Sequence, residues 1–266
     1  MKKRTAFIGA ILSLIPLGQP VFIKTGVFLS SIGLMISLPE KLYAGDNSYY
    51  FNSAYEKAEN GDHYGAISDY TRAIEIDPKD DHSYHNRGVA RENLGKCYEA
   101  ISDYFKAIEI NADRPSSYHG IGFCKSKLGD YEGAKIAYSK AIELDSNYDS
   151  AYYNRGFAKA NLEDHYGAIA DYTKTIEINP NFRNAFLNRG NSKNELIDYY
   201  GAISDYTKAI ELAPDKANGY LGRGRSYFSL NDKERACKDF KKAIFLGSTS
   251  TEEWLNSEGG SWCRNM

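Results

Sequence analysis

The sequence predicts an all-α fold, a right-handed α-solenoid of six helix-turn-helix repeats closed by a short C-terminal capping helix. Three observations carry that prediction. The string A-I-S-D-Y recurs at Ala66, Ala100 and Ala202, with A-I-A-D-Y at Ala168, and every offset is a multiple of 34 residues. Within each copy two apolar-periodic runs of about a dozen residues flank a polar break such as Gly61-Asp62 or Gly129-Asp130, the pattern of helix, turn, helix. Long stretches lack both Pro and β-branched runs, while Tyr is in excess at 22 of 266 residues. One helical hairpin cannot bury both its faces, so neighbours must stack.

Composition sets the outer limits. A hydrophobic share of 42% and a charged share of 26% are ordinary for a globular protein. Thirty-three basic against 35 acidic side chains leave a formal charge of -2, so no global field draws nucleic acid or an anionic membrane.

The first 45 residues differ from the rest. Lys2, Lys3 and Arg4 precede an apolar stretch, Ala6 to Ile23, and a second one runs from Thr25 to Leu38, ahead of Pro39 and Leu42-Tyr43-Ala44. The second stretch suits a signal-peptide core, with cleavage after Ala44, although the region before it is long and Leu42 is large for its place. Residues 1–45 are therefore read as an export signal or an uncleaved membrane anchor; membrane contact is expected only through this segment, and the chain beyond Gly45 crosses the membrane. The expected location is the periplasm or an equivalent lumen of a bacterial cell.

Six copies then run without insertion, at 47–80, 81–114, 115–148, 149–182, 183–216 and 217–250. The fourth place holds Tyr50, Tyr84, Tyr118, Tyr152, Phe186 and Tyr220, and the eighth holds Ala54, Gly88, Gly122, Gly156, Gly190 and Gly224. Ala66, Ala100, Ala134, Ala168, Ala202 and Ala236 fill the twentieth place; Tyr70, Tyr104, Tyr138, Tyr172, Tyr206 and Phe240 fill the twenty-fourth. Small residues at the eighth and twentieth places remove bulk where two helices cross, and the aromatics fill the space beside them, which makes the tyrosine excess a core feature. Pro78, Pro180 and Pro214 end second helices. This frame resembles the tetratricopeptide repeat, over about three quarters of the chain.

Two features refine the array. Arg87, Arg155, Arg189 and Arg223 at the seventh place accompany Asp103, Asp171, Asp205 and Asp239 at the twenty-third, whereas the third repeat has Ile121 and Ala137. Joint loss suggests a salt bridge between the two helices of a repeat, the alternative being an Arg that meets solvent or ligand. The first repeat, with Ser53 and Asp69, breaks the rule, and terminal exposure would make a lone Asp cheap. Beyond 250, Ser250-Thr251-Glu252-Glu253 reads as a capping box, with Trp254 in phase; 251–266 is a capping helix and tail, or else a disordered tail.

The resemblance implies a concave face lined by the first helices, and a protein or peptide partner lying in it. Candidate binding residues are Asn52, Asn86, Asn154, Asn188 and Asn191, with Tyr55, Phe123, Tyr153 and Phe157 around them. A side-chain amide donates and accepts, which suits an extended backbone of any sequence; bridging between helices is the competing use. Some family members clamp a carboxylate with basic residues at the second, fifth and sixth places, which here hold Ser, His, Asn, Phe, Leu and Gly.

His82, His85 and His119 lie on the groove side without the spacing or carboxylates of a metal site, so no metal and no cofactor is expected. Cys97, Cys124, Cys237 and Cys263 leave buried thiols and a Cys237 to Cys263 staple both open. No H-E-x-x-H, G-x-S-x-G or P-loop occurs, and no stretch remains for a second domain, so no catalytic residue is assigned. The expected function is a non-catalytic scaffold supporting an extracytoplasmic or membrane complex; the alternative is a structural repeat protein that self-assembles through its solenoid ends. Oligomeric state stays open.

Overall fold

The computed structural model describes residues 46–257 and 260–264, so the leader expected over 1–45 lies outside the described residues. Fourteen helices and no strand occur among them. Six pairs succeed one another: α1 (Asn47–Glu59) and α2 (His63–Ile76), α3 (Asp81–Asn93) and α4 (Cys97–Ile110), α5 (Pro115–Lys127) and α6 (Tyr131–Leu144), α7 (Asp149–Asn161) and α8 (His165–Ile178), α9 (Arg183–Glu195) and α10 (Tyr199–Leu212), α11 (Ala217–Ser229) and α12 (Lys233–Phe245). Each first helix packs on its own second helix, and each second helix on the next first helix, which is a solenoid. Then come α13 (Thr249–Asn256) and the single turn α14 (Ser261–Arg264).

Local chemistry sets these boundaries. Asp62, Asp130, Asp164, Asp198 and Asp232 each cap a second helix by accepting the N–H three residues on. The residue before each of these caps is left-handed: Gly61, Gly129, then Glu163, Ile197 and Asn231 at φ 62, 64 and 60°. Glycine adopts that conformation freely, whereas a β-branched residue such as Ile197 is strained there.

Packing obeys the large-small alternation. The tyrosines at the twenty-fourth place are 1% exposed, and a Cβ built on Gly156 would stand 2.9 Å from the Tyr172 ring. The same ring position also meets the next repeat, since a Cβ on Gly120 would come within 2.5 Å of Tyr104. The aromatics at the fourth place behave differently: in repeats 2, 4, 5 and 6 each lies under the guanidinium three residues on, as Tyr152 does under Arg155 at 5.4 Å. Nor are all tyrosines core. Tyr64, Tyr98, Tyr166 and Tyr200, at the eighteenth place, are 66 to 77% exposed, so burial accounts for only part of the excess.

The Arg–Asp pair is an interhelical salt bridge, with bidentate geometry. In the fifth repeat Arg189 Nε donates to Asp205 Oδ2 at 2.9 Å and Nη2 to Oδ1 at 2.6 Å. Its remaining nitrogen donates to Thr173 Oγ1 of the preceding repeat at 3.0 Å, so one guanidinium ties three helices. Arg87, Arg155 and Arg223 do the same toward Thr71, Ser139 and Thr207. The third repeat's departure therefore involves three positions: Ile121 and Ala137 replace the pair, and Phe105 stands where the hydroxyl would be. Ile121 and Ala137 join Cys97, Tyr104 and the free thiol Cys124 in an apolar cluster. Asp69 of the first repeat is not the exposed lone carboxylate expected. It is buried and accepts from Ser53 Oγ and Lys57 Nζ, both at 2.6 Å, because Lys57 reaches across one helical turn to supply the missing charge.

The C-terminal cap differs in register from the expected box. Gly247, left-handed at φ 91°, ends α12 with N–H bonds from Gly247 to Ile244 and from Ser248 to Ala243. That tight reversal starts α13 at Thr249, with Ser248 rather than Ser250 as its N-cap. Cys237 and Cys263 form a disulfide with Cα atoms 5.3 Å apart, which resolves the open cysteine pairing.

Candidate groove on the first-helix face

Helices α5, α7 and α9 present their ninth-place residues, Phe123, Phe157 and Asn191, in line, because equivalent places of stacked repeats recur along the array. Two clefts open between them. The first, about 400 Å³, is walled by Phe123, Tyr131, Tyr153, Asn154 and Phe157, with Lys127 at its rim. The second, about 440 Å³, is walled by Phe157, Asn161, Asn188, Asn191 and Glu195. Phe157, 41% exposed, is common to both, so the clefts adjoin across one ring.

Six of the nine candidate residues thus meet in repeats 3 to 5: Phe123, Tyr153, Asn154, Phe157, Asn188 and Asn191. The other three, Asn52, Tyr55 and Asn86, share the register but line neither cleft. Asn52 and Tyr55 are exposed at the N-terminal end of the array, and Asn86 bonds the Tyr70 hydroxyl.

The amides are more committed to neighbours than an open ladder requires. Asn154 Nδ2 lies 2.9 Å from His119 Nε2, and Asn188 Nδ2 donates to the Tyr153 hydroxyl at 3.0 Å. Asn191 Oδ1 accepts from the Tyr206 hydroxyl at 2.7 Å, and Asn194 Nδ2 donates to the same hydroxyl oxygen at 3.1 Å. Asn154 and Asn188 thus cross-link successive first helices across the seam between repeats. The rings Phe123 and Phe157 take no part in that amide network: Phe123 lies under Lys127 Nζ at 5.4 Å, and Phe157 meets the Tyr131 ring edge-on at 6.3 Å.

Of the three histidines, His85 and His119 belong to that seam as well, whereas His82 is exposed beside Asp81. His85 Nδ1 pairs with Ser117 Oγ at 2.8 Å, and His119 stacks on Tyr148 at 5.1 Å. Burial pushes both imidazoles down to about 4 from the usual 6.5, so both are neutral at pH 7, and a neutral His119 accepts from Asn154. Among the described residues no group of three or more His, Cys, Asp or Glu side chains is placed to share a metal ion. None of the helices there is long and apolar enough to cross a membrane.

Sequence reasoning missed the second cation on the buried aspartates. Arg91, Lys159 and Lys193, four residues after the Arg, approach Asp103, Asp171 and Asp205 at 2.7, 2.8 and 2.8 Å. The signal was present, as a basic residue at the eleventh place in five of six copies. It was masked by the ordinary frequency of lysine on helices.

Known proteins share this architecture. A model described as tetratricopeptide repeat matches residues 48–80, 81–114 and 217–244, a second of the same description matches 150–182, and a TPR repeat model matches 126–163. Among solved structures, a MamA protein is 26% identical at TM-score 0.59, covering 64% of this chain and 93% of its own. YrrB, described as a TPR protein with an unusual peptide-binding site, is 21% identical at TM-score 0.62, with coverage of 74% and 98%. PilF of Pseudomonas aeruginosa is 18% identical at TM-score 0.67, with coverage of 81% and 98%. No curated protein sequence matches the chain. With repeat models matching more than half of its residues and six helix pairs stacked on a 34-residue period, the chain belongs to the tetratricopeptide repeat family.

Proposed function

We propose that the protein is a non-catalytic scaffold that holds a protein or peptide partner along the concave first-helix face, centred on repeats 3 to 5. The observation that carries this reading is the pair of adjoining clefts sharing Phe157. Ring faces and amide edges side by side, with Lys127 and Glu195 at the margins, suit an extended segment with spaced apolar side chains better than a strongly charged one. YrrB's described peptide-binding site is in keeping with this use of the fold. We also infer export, with the leader removed or kept as an anchor, and a role in assembling an extracytoplasmic or membrane complex. The Cys237–Cys263 bridge supports that location, since disulfides persist in oxidising compartments. Self-assembly through Trp254 has less support, because its indole packs on Phe240 at 5.1 Å and is partly covered.

The test uses Phe123→Ala with Phe157→Ala, since neither ring is fully buried and the array keeps its bridges. Affinity capture from membrane and periplasm fractions should lose the partners held by the wild-type chain, at least about tenfold for two anchor rings, with helicity unchanged. Retention of the same partners at the same yield refutes the groove.

A further inference from the structure

The last repeat and its cap enclose a cavity that the groove in repeats 3 to 5 does not use. It measures about 420 Å³ and is lined by Leu221, Arg225, Phe228, Phe240, Thr251 and Trp254. Its walls are aromatic and prearranged. Phe228 lies 5.5 Å from Trp262 with the planes 17° apart, and Trp254 stands edge-on to Phe240 and to Phe228 at 5.1 and 6.0 Å. The disulfide ties Cys263, next to Trp262, back to α12, so a covalent link holds Trp262 close to the lining ring Phe228.

Arg225 is the one charged side chain in this lining. The arginines at the seventh place are spent on aspartates, whereas Arg225 has no hydrogen bond or ion pair among the described residues and acts at longer range on the Tyr206 hydroxyl. A guanidinium left free at the rim of an aromatic cavity asks for an anion attached to an apolar body. Volume restricts that body, because a ligand site of this size takes one ring with a short chain. Helix α13 supplies Thr251 and Trp254 as one side of the cavity, and the Thr251 hydroxyl is already paired with Ser248 Oγ at 2.7 Å, which leaves Arg225 to bind the polar end.

We propose that this cavity is a binding site for a small hydrophobic carboxylate, its ring or branched chain among Phe228, Phe240 and Trp254 and its carboxylate on Arg225. The site lies on the same first-helix face as the two clefts but shares no lining residue with them, and it does not depend on a peptide lying there. Preorganised walls lower the ordering cost of binding.

The chain has two tryptophans, Trp254 in the lining and Trp262 stacked on the lining ring Phe228, so intrinsic fluorescence reads the site. The full chain with its disulfide intact is titrated with 4-phenylbutyrate, with 4-phenylbutan-1-ol, and with a blocked tripeptide ending in phenylalanine with a free carboxylate. The acid should saturate the tryptophan signal and bind about tenfold or more tighter than the alcohol, as a charge-assisted bond implies. Arg225→Gln should remove that preference while alcohol binding stays as it was. Phe228→Ala should weaken both, and Phe157→Ala should change neither. Equal binding of acid and alcohol, an unaltered preference in Arg225→Gln, binding by the tripeptide alone, or no saturable signal with any probe would each overturn the proposal.

Discussion

Removing Arg189 tests whether the guanidinium network is what couples successive repeats. In Arg189→Met, Asp205 stays where it is 3% exposed, losing two bonds at 2.6 and 2.9 Å, while Thr173 loses its donor. Leaving one partner of a buried pair alone costs about 3 to 5 kcal/mol. Lys193, 2.8 Å from the same carboxylate, keeps part of the compensation, so the single change should sit at the lower end, about 3 kcal/mol. Adding Lys193→Met removes the last cation and should bring the loss to about 5 kcal/mol. Arg189→Ile with Asp205→Ala copies the third repeat's own solution, leaves no buried carboxylate, and should cost less than Arg189→Met alone. Urea unfolding monitored by circular dichroism at constant m-value ranks the three variants. A 3 kcal/mol loss corresponds to a melting point lower by about 6 to 12 °C for a chain of this size. If the Arg189→Ile with Asp205→Ala pair is the least stable of the set, the uncompensated carboxylate is not the source of the cost and the network reading fails.

The same geometry gives two further outcomes. His85 and His119 titrate at about 4 when folded and near 6.5 when unfolded, so the unfolded chain binds more protons between those values, and stability present above pH 6.5 falls as pH drops toward 4, by up to about 3 kcal/mol for each ring. His85→Leu with His119→Leu, which places at those two sites the residue found at Leu187 and Leu221, should flatten the melting temperature between pH 7 and 5; a slope equal to wild type rules the histidines out. Ile197→Gly should raise stability by about 1 kcal/mol, because a strained left-handed β-branched residue at an exposed turn is replaced by one that adopts φ 64° freely. A lower denaturation midpoint in that variant would show that the isoleucine side chain matters more than its backbone strain.

Helix pairing was readable from the chain because the 34-residue period repeats the same small and large places, and Gly88 against Tyr104 leaves little choice of packing. The Arg–Asp bridge was readable for a related reason: loss at both Ile121 and Ala137 exposes a coupling that a single repeat would hide. Phe105 was not legible in the same way, because its partner position lies in the next repeat and a comparison within one copy does not reach it. The groove was legible as a register of candidate places and not as a site. Periodicity puts Asn52, Asn86, Asn154 and Asn188 on one line, yet which amides cross-link neighbours depends on whether His119 or Tyr153 stands within reach.

By itself the sequence determined the family, the number of helix pairs and the face that first helices present, since each is a consequence of period and side-chain size. The tertiary structure decided what distance decides. It joined Cys237 to Cys263, moved the cap's start to Thr249, placed Lys57 on Asp69, and left Arg225 unpaired beside an aromatic cavity. Each of these rests on contacts between residues far apart along the chain or on the path of a turn, and a periodic pattern carries no information about either.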